Sequence, residues 1–193
     1  MNLQLDLTTN VYDADNLLIA CLNVKIKSCF YDEDTDEEQY IELGYIVAHR
    51  FDLAYSARSL YFLADSIDSD LMRVAEFFLG TQSHYQKILG SKYLFYINHV
   101  FIKPEFRGHG YTLEAVALFL ELFAKGEAVS CHPVPMDDLE KKYSKTKGKL
   151  ILRKYWSKLG LTYYSKKDNI LWQHQWSMPK WLRSRIFNPY LKS

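Results

Sequence analysis

The chain has 193 residues, of which 48% are hydrophobic and 16% aromatic, and its net charge is +1 at pH 7. This composition is typical of a folded globular protein and excludes a chain that is disordered throughout. A nearly neutral chain has no overall field that would attract nucleic acid or an anionic membrane, so we expect neither as a partner. At this length we expect one domain over residues 1–193, ending in a basic, aromatic tail over residues 177–193.

The three cysteines, Cys21, Cys29 and Cys131, lack both the even number of a disulfide framework and the spacing of a zinc site. The histidines show no H-x-H or H-x-x-x-H spacing, so no metal is expected. The N-terminal stretch MNLQLDLTTN lacks the basic segment and apolar run of a signal peptide, and no stretch approaches the roughly 20 apolar residues of a membrane span. We therefore expect a cytoplasmic protein.

The first quarter of the chain predicts an antiparallel pair of strands. Residues 17–26 and 40–51 are apolar and rich in strand-forming residues. Between them lies the acidic run Asp32–Glu38, which we interpret as the tip of a hairpin or a solvated excursion. The run is a candidate site for a cationic amine, although most charge runs are only solvated surface.

Residues 66–80 change to a helical period, with Ser69 or Asp70 as the candidate cap and Gly80 as the end of the helix. The later elements follow from the same patterns of apolar spacing and turn residues. They are a central strand over 93–103 that Pro104 ends, a helix that Gly126 ends, a strand over 128–135, a polar connection over 136–149, a helix over 150–160 and a hairpin over 161–176.

The turn between the central strand and the following helix reads Arg-Gly-His-Gly, from Arg107 to Gly110. The start of a helix has unpaired N–H groups and a partial positive charge, which together favour an anion such as phosphate. Glycine leaves the backbone accessible, and Arg107 adds a charged donor. The alternative is a tight turn that merely needs glycine. A third glycine for a dinucleotide fingerprint is missing, since Leu113 stands there, and the chain has no Gly-Lys-Ser/Thr of a P-loop.

The segment INHVFIKPEFRGHGYTLEAVALFL resembles the acetyl-CoA-binding segment of the GNAT superfamily of N-acyltransferases, which reads as a strand, a Pro-x-x-Arg-Gly-x-Gly turn and a helix. The segment LRKYWSKLGLTYY is similar to that family's later helix-to-strand element. The resemblance covers residues 93–175 well, whereas the first 90 residues agree only in the order of elements. It implies an α/β fold with a mixed, mostly antiparallel central sheet of six to seven strands, flanked by helices and splayed between the fourth and fifth strands.

The resemblance also implies a site for acetyl-CoA. Backbone amides of the turn would hold the diphosphate, the end of the central strand would pair with the pantetheine arm, and Arg107 would add charge. The family usually has Gly or Ala where this chain has Thr112, whose hydroxyl we expect to bond a phosphate oxygen; the alternative is that its bulk weakens the site. The expected binding residues are Val100, Phe101, Ile102, Arg107, Gly108, His109, Gly110, Tyr111 and Thr112.

His99 is the first candidate for the general base, because it precedes the strand end that would line the thioester and an imidazole titrates near neutrality. The alternative is a histidine that packs within the sheet. Asn98 is expected on the opposite face, because side chains alternate along a strand. The family often uses a tyrosine as the acid four residues before the glycine that ends the later helix. That position is Trp156 here, so its neighbour Tyr155 is the candidate acid, with a packing role as the alternative.

The expected function is transfer of an acetyl group from acetyl-CoA to a primary amine of a small molecule or protein, by direct attack in a ternary complex. An acyl-enzyme at Cys131 is a further route, with a buried structural cysteine as the alternative. Two other functions stay open: a coenzyme A-binding regulatory protein with little turnover, and a toxin-like acetyltransferase acting on aminoacyl-tRNA, which the basic tail suggests. The sequence names neither the acceptor nor the acyl group, and it leaves open whether the chain forms a homodimer.

Overall fold

The computed structural model describes residues 2–11, 17–32, 34, 36–135 and 138–187. The strands of this part form one seven-stranded sheet in the order β1-β2-β3-β4-β5-β7-β6. Neighbouring strands are antiparallel except for the parallel pair β4 and β5. The strands are β1 (Asn2–Val11), β2 (Ile19–Asp32), β3 (Glu37–Asp52), β4 (Tyr93–Ile102), β5 (Ala128–Cys131), β6 (Tyr163–Ser165) and β7 (Ile170–Gln173).

Helices cover both faces of the sheet, as its two sets of buried side chains require. The helices are α1 (Ala57–Ile67), α2 (Ser69–Leu79), α3 (Gln82–Ile88), α4 (Tyr111–Phe123), α5 (Asp138–Lys142), α6 (Lys145–Trp156) and α7 (Lys180–Phe187), with 3-10 turns at Pro104–Phe106 and Ser157–Leu159. Together with the sheet topology, this arrangement confirms the predicted mixed α/β fold class.

Each face of β4 belongs to a different hydrophobic cluster. Phe95 and Ile97 pack with α4 on one face, and the Phe95 and Phe119 ring centroids are 6.5 Å apart. Leu94 and Tyr96 pack with α1 and α2 on the other face. Because a strand with both faces buried reads as a continuous apolar run, this explains why β4 is predictable from sequence.

The sheet opens between β4 and β5, as predicted. Pairing between these strands runs only from Leu94 opposite Ala128 to Ile97 opposite Cys131. On its other side β4 stays paired with β3 as far as Ile102. The last five residues of β4, 98–102, therefore face a gap where a neighbouring strand would otherwise lie.

Several boundaries differ from the sequence predictions. The strand β1 was missed, although Leu3 and Leu5 alternate along it and pack against the core. The predicted helix over 66–80 starts at Ser69 instead, since Asp68 is its cap and accepts a hydrogen bond from the Asp70 N–H at 2.7 Å. Ser69 and Asp70 are therefore wrong as caps.

The polar connection predicted over 136–149 is largely helical, because it contains α5 and the first turn of α6. The acidic run is confirmed as a hairpin tip between β2 and β3, with residues 33 and 35 outside the described part. The predicted tail contains α7, and residues 188–193 lie outside the described part. Within the described ranges, no helix has both the length and the apolar character that crossing a bilayer requires.

Candidate functional site

A cavity of about 540 Å³ occupies the gap at the end of β4. Its walls come from residues 97–102 of β4, residues 106–113 around the glycine turn, and Cys131 at the end of β5. Side chains of α6 and α7 close the remaining side. Every residue that the sequence predicted for acetyl-CoA binding or for catalysis lines this cavity, although the prediction that they bind acetyl-CoA stays a prediction.

A β-bulge at Asn98 shapes the strand side of the cavity. The register passes from Val47 opposite His99 to Ala48 opposite Ile97, which leaves Asn98 as the extra residue on β4. Both Asn98 and His99 line the cavity, so the expectation that alternation would keep one of them out is wrong. The reason is that a bulge interrupts the two-residue period on which that expectation rested.

The His99 ring packs edge-on against Tyr45, with ring centroids 5.4 Å apart. Tyr45 in turn stacks on Phe101, with centroids 5.5 Å apart. The aromatic contact fixes one side of the imidazole while another side borders the cavity. His99 therefore has both a packing role and access to the cavity, so the two interpretations from sequence are compatible.

The glycine turn joins β4 to α4. Gly108 and Gly110 both have φ of +88°, a left-handed conformation that strains other residues. A Cβ added at Gly108 would meet no atom within 4 Å, so the space beside this residue is open to the cavity. A Cβ added at Gly110 would lie 2.3 Å from Nη2 of Arg185. The two glycines thus differ: one leaves open space, and the other makes room for an arginine of α7.

Arg107 makes contacts within the protein as well as lining the cavity. Its Nε donates to the carbonyl oxygen of Ile102 at 2.8 Å, and its guanidinium lies 5.5 Å from the Phe101 ring centroid. The side chain therefore ties the turn back to the end of β4. Because Nε of Arg107 already donates to Ile102, the expected binding of a ligand by Arg107 would have to use its Nη nitrogens.

The phenol of Tyr155, on α6, contacts Thr112 on the first turn of α4. Burial raises the pKa of the phenol, while the Thr112 side chain and the charge of Arg185 oppose the rise. Trp156 packs against Tyr155 with ring centroids 5.2 Å apart, and both rings line the cavity. The Thr112 hydroxyl, which we expected to bond a phosphate oxygen, therefore contacts the candidate acid.

Cys131 ends β5 at the cavity and is 4% exposed. Burial raises the pKa of its thiol, which keeps it protonated and poorly nucleophilic. This supports a structural cysteine over an acyl-cysteine intermediate.

His132 follows directly and also lines the cavity, a position that its sequence context does not indicate. Its Nδ1 lies 3.2 Å from Nη1 of Arg73, and because a guanidinium only donates, Nδ1 accepts. Burial, together with the charge of Arg73, lowers the pKa of His132.

A second cavity of about 730 Å³ adjoins the first and shares four residues with it: His132, Val134, Pro135 and Tyr143. Side chains of both charges line it, including Arg73, Glu76, Lys145 and Asp168. In the described part of the chain, no group of three or more His, Cys, Asp or Glu residues could hold a metal ion.

Arg185 and Trp181, both of α7, also line the first cavity and were missed from sequence. Leu182 of this helix is fully buried in the core. No local sequence pattern predicts that the Arg185 side chain lies beside the glycine turn, because its position depends on how α7 packs.

No protein-family model matches the sequence, and no curated protein matches it. Among solved structures, the crystal structure of a mutant of KacT is similar at a TM-score of 0.41 and 10% sequence identity, covering 96% of this chain and 99% of that chain. A likeness at this level carries no argument about what this chain does.

Proposed function

We propose that the protein is an N-acetyltransferase that uses acetyl-CoA and acts on a primary amine. One observation carries the proposal: a single cavity runs from the open edge of β4 to the glycine turn at the start of α4. The sequence resemblance to the GNAT superfamily assigns the thioester arm to the former and the diphosphate to the latter. The open space beside Gly108 and the positive end of α4 fit an anionic group.

Acetyl-CoA, when bound, supplies an activated thioester, whose acetyl carbon bonds to the amine nitrogen as its carbon–sulfur bond breaks. The strand edge 98–102 orients the donor through its backbone groups, because residues in a strand present N–H and C=O groups sideways. The glycine turn and Arg107 hold the diphosphate. These residues supply positioning, which accounts for much of the acceleration of a reaction between two substrates.

His99 takes a proton from the amine during attack, and Tyr155 gives a proton from its Oη to the departing sulfur. Burial raises the pKa of the Tyr155 phenol, so the group holds its proton at neutral pH but is a weaker acid than an unperturbed tyrosine. The case for Tyr155 as the acid is its place at the cavity. Trp156 can donate a hydrogen bond but not a proton. The second cavity supports an acceptor route, since it meets the first at His132 and Tyr143.

Two measurements test the proposal in sequence. Calorimetric titration of the purified protein with coenzyme A and acetyl-CoA is expected to give micromolar dissociation constants. Release of free thiol is then followed across a panel of primary amines, including polyamines and lysine peptides. Consumption of acetyl-CoA that depends on one of the amines supports the proposed enzyme.

A matched pair of variants strengthens the test. Arg107→Gln is expected to weaken coenzyme A binding, while Arg58→Gln, the same change at an exposed arginine of α1 outside the cavity, is not. Binding without turnover on any amine would favour the regulatory coenzyme A-binding protein. A protein that leaves millimolar coenzyme A unbound would refute both functions.

A further inference from the structure

The C-terminal helix α7 runs beside α4 and is joined to it by two ion pairs. Arg183 bonds to Glu121 at 2.6 Å, and Arg185 pairs through Nε with Glu114 in the first turn of α4. Leu182, which precedes Arg183 on the same helix, is fully buried. These contacts fix α7 on the core, so the side chain of Arg185 is held at the start of α4.

Arg185 lies directly on the glycine turn. Its Nη2 donates to the carbonyl oxygen of His109 at 2.6 Å, and its guanidinium fills the place that a Cβ of Gly110 would take. The two described contacts, to His109 and Glu114, use two of the five N–H donors of a guanidinium. The side chain is 37% exposed and borders the cavity, which leaves it within reach of a ligand.

The charges at this turn explain why an anion would need Arg185. Glu114 is 9% exposed and brings a negative charge to the end of α4 that should attract anions. Arg185 compensates this carboxylate and still carries donors on its other nitrogens. A planar guanidinium also matches phosphate oxygens better than an ammonium does.

We propose that Arg185, supplied by the C-terminal helix, is a diphosphate-binding residue of the donor site, beside the turn from Arg107 to Thr112. The inference rests on the proposed function, because the diphosphate is that of coenzyme A. It adds to that function by making α7 part of the binding site. Open space at Gly108 and a cation at Gly110 then form the two sides of one anion site.

Calorimetric titration with coenzyme A tests the proposal on the whole 193-residue chain. Arg185→Gln is expected to raise the dissociation constant roughly 10- to 100-fold, as loss of a charged hydrogen-bond donor does. Arg183→Gln is the matched control, since it makes the same change on the same helix and also removes an ion pair to α4, but lies outside the cavity. It is expected to change the dissociation constant by less than about 2-fold.

Pantetheine, which lacks the diphosphate and the nucleotide, identifies the part of the ligand that Arg185 contacts. Pantetheine binding is measured by direct titration of both proteins and, on the wild type, also by competition with coenzyme A. Arg185→Gln is expected to leave the dissociation constant of pantetheine unchanged. Equal weakening of pantetheine and coenzyme A would overturn the inference. Equal weakening by Arg183→Gln and Arg185→Gln would also overturn it.

A variant with unpaired Glu114 could unfold, so Arg185→Gln/Glu114→Gln serves as a second test. It removes both charges of the pair, and thermal unfolding checks that it folds. Weak coenzyme A binding by this folded double variant supports the inference, and wild-type affinity refutes it. If the wild type itself binds no coenzyme A, the proposed function fails. If the wild type binds coenzyme A and Arg185→Gln binds it equally well, only the inference about Arg185 fails.

Discussion

The side chain of Thr112, on the first turn of α4, contacts the phenol of Tyr155 on α6. Thr112 stands where the GNAT resemblance leads one to expect Gly or Ala, and Tyr155 stands one residue before the position of the usual tyrosine. The two departures from the family pattern thus contact each other. The contact brings a proton-carrying group to the start of α4, at the cavity.

If Tyr155 is the acid of the proposed reaction, Tyr155→Phe is expected to lower kcat by about 100-fold or more, because general acid catalysis contributes that much. Coenzyme A affinity is expected to change by only a few fold. Steady-state kinetics with the best amine of the panel gives the first value and calorimetry the second. The raised pKa of the phenol also predicts that this role is not lost between pH 7 and 9.

Tyr163→Phe is the control for this prediction, since Tyr163 is an exposed tyrosine outside the cavity. Thr112→Val removes the partner hydroxyl but keeps the phenol, so a loss of only several fold is expected. An unchanged kcat in Tyr155→Phe would assign that ring to packing alone.

Substitution by alanine is expected to lower the stability of the protein by different amounts at the two glycines of the turn. Both have φ of +88°, so each substitution carries about 1–2 kcal/mol of backbone strain. Gly110→Ala also displaces the Arg185 guanidinium from its bonds to Glu114 and His109, whereas Gly108→Ala meets open space. Thermal unfolding without ligand should show a larger drop in Tm for Gly110→Ala, at about 2–4 °C per kcal/mol.

Gly126→Ala is the reference for strain alone, because Gly126 has φ of +81° and no atom within 4 Å of an added Cβ. Gly110→Ala placed in an Arg185→Ala background should lose the additional cost. Equal Tm values for Gly108→Ala and Gly110→Ala would contradict the contact with Arg185.

Cys131→Ala is expected to retain acetyl transfer within a few fold, because a buried, protonated thiol is a poor nucleophile. Intact-protein mass spectrometry after incubation with acetyl-CoA is expected to show no acyl adduct at Cys131. Cys21→Ala, at a buried cysteine of β2 outside the cavity, controls for lost packing. Loss of activity in Cys131→Ala alone, together with an adduct in the wild type, would establish a covalent route.

Stability is expected to fall on acidification in part because of His49. Burial lowers its pKa from 6.5 to about 4, and the charge of Asp68 only partly opposes this. The unfolded chain therefore takes up the proton first as the pH drops below 6.5, so the folded state loses stability down to about pH 4. The loss amounts to on the order of 3 kcal/mol at 1.36 kcal/mol per pKa unit.

Urea unfolding between pH 7 and 4 measures this dependence, and His49→Gln should flatten it. His174→Gln, at a partly exposed histidine near the end of β7, should keep the wild-type slope. An NMR titration of the His49 ring provides a direct check. A midpoint near 6.5 would show that burial does not act on this group as argued.

Elements whose side chains repeat with a clear period could be predicted from the sequence. The apolar run of β4, the turn from Arg107 to Gly110 and the apolar positions of α4 are local patterns, and each matches the structure. Predictions of helix and strand boundaries were less accurate where a single side chain or the strand register sets the boundary. Asp68, inside the segment predicted to be helical, caps α2 and so sets its start, and the bulge at Asn98 arises from the register between β3 and β4.

The candidate site likewise has features that the sequence predicts and features that it does not. The sequence by itself determined the glycine turn at the start of a helix and the strand before it, because both depend on backbone preferences within a few residues. Only the tertiary structure decided that Tyr155 meets Thr112, that His132 borders the cavity and that Arg185 lies on Gly110. These pairs are distant along the chain, and what joins them is the packing of α6 and α7 onto the sheet and α4, which no local pattern of residues specifies.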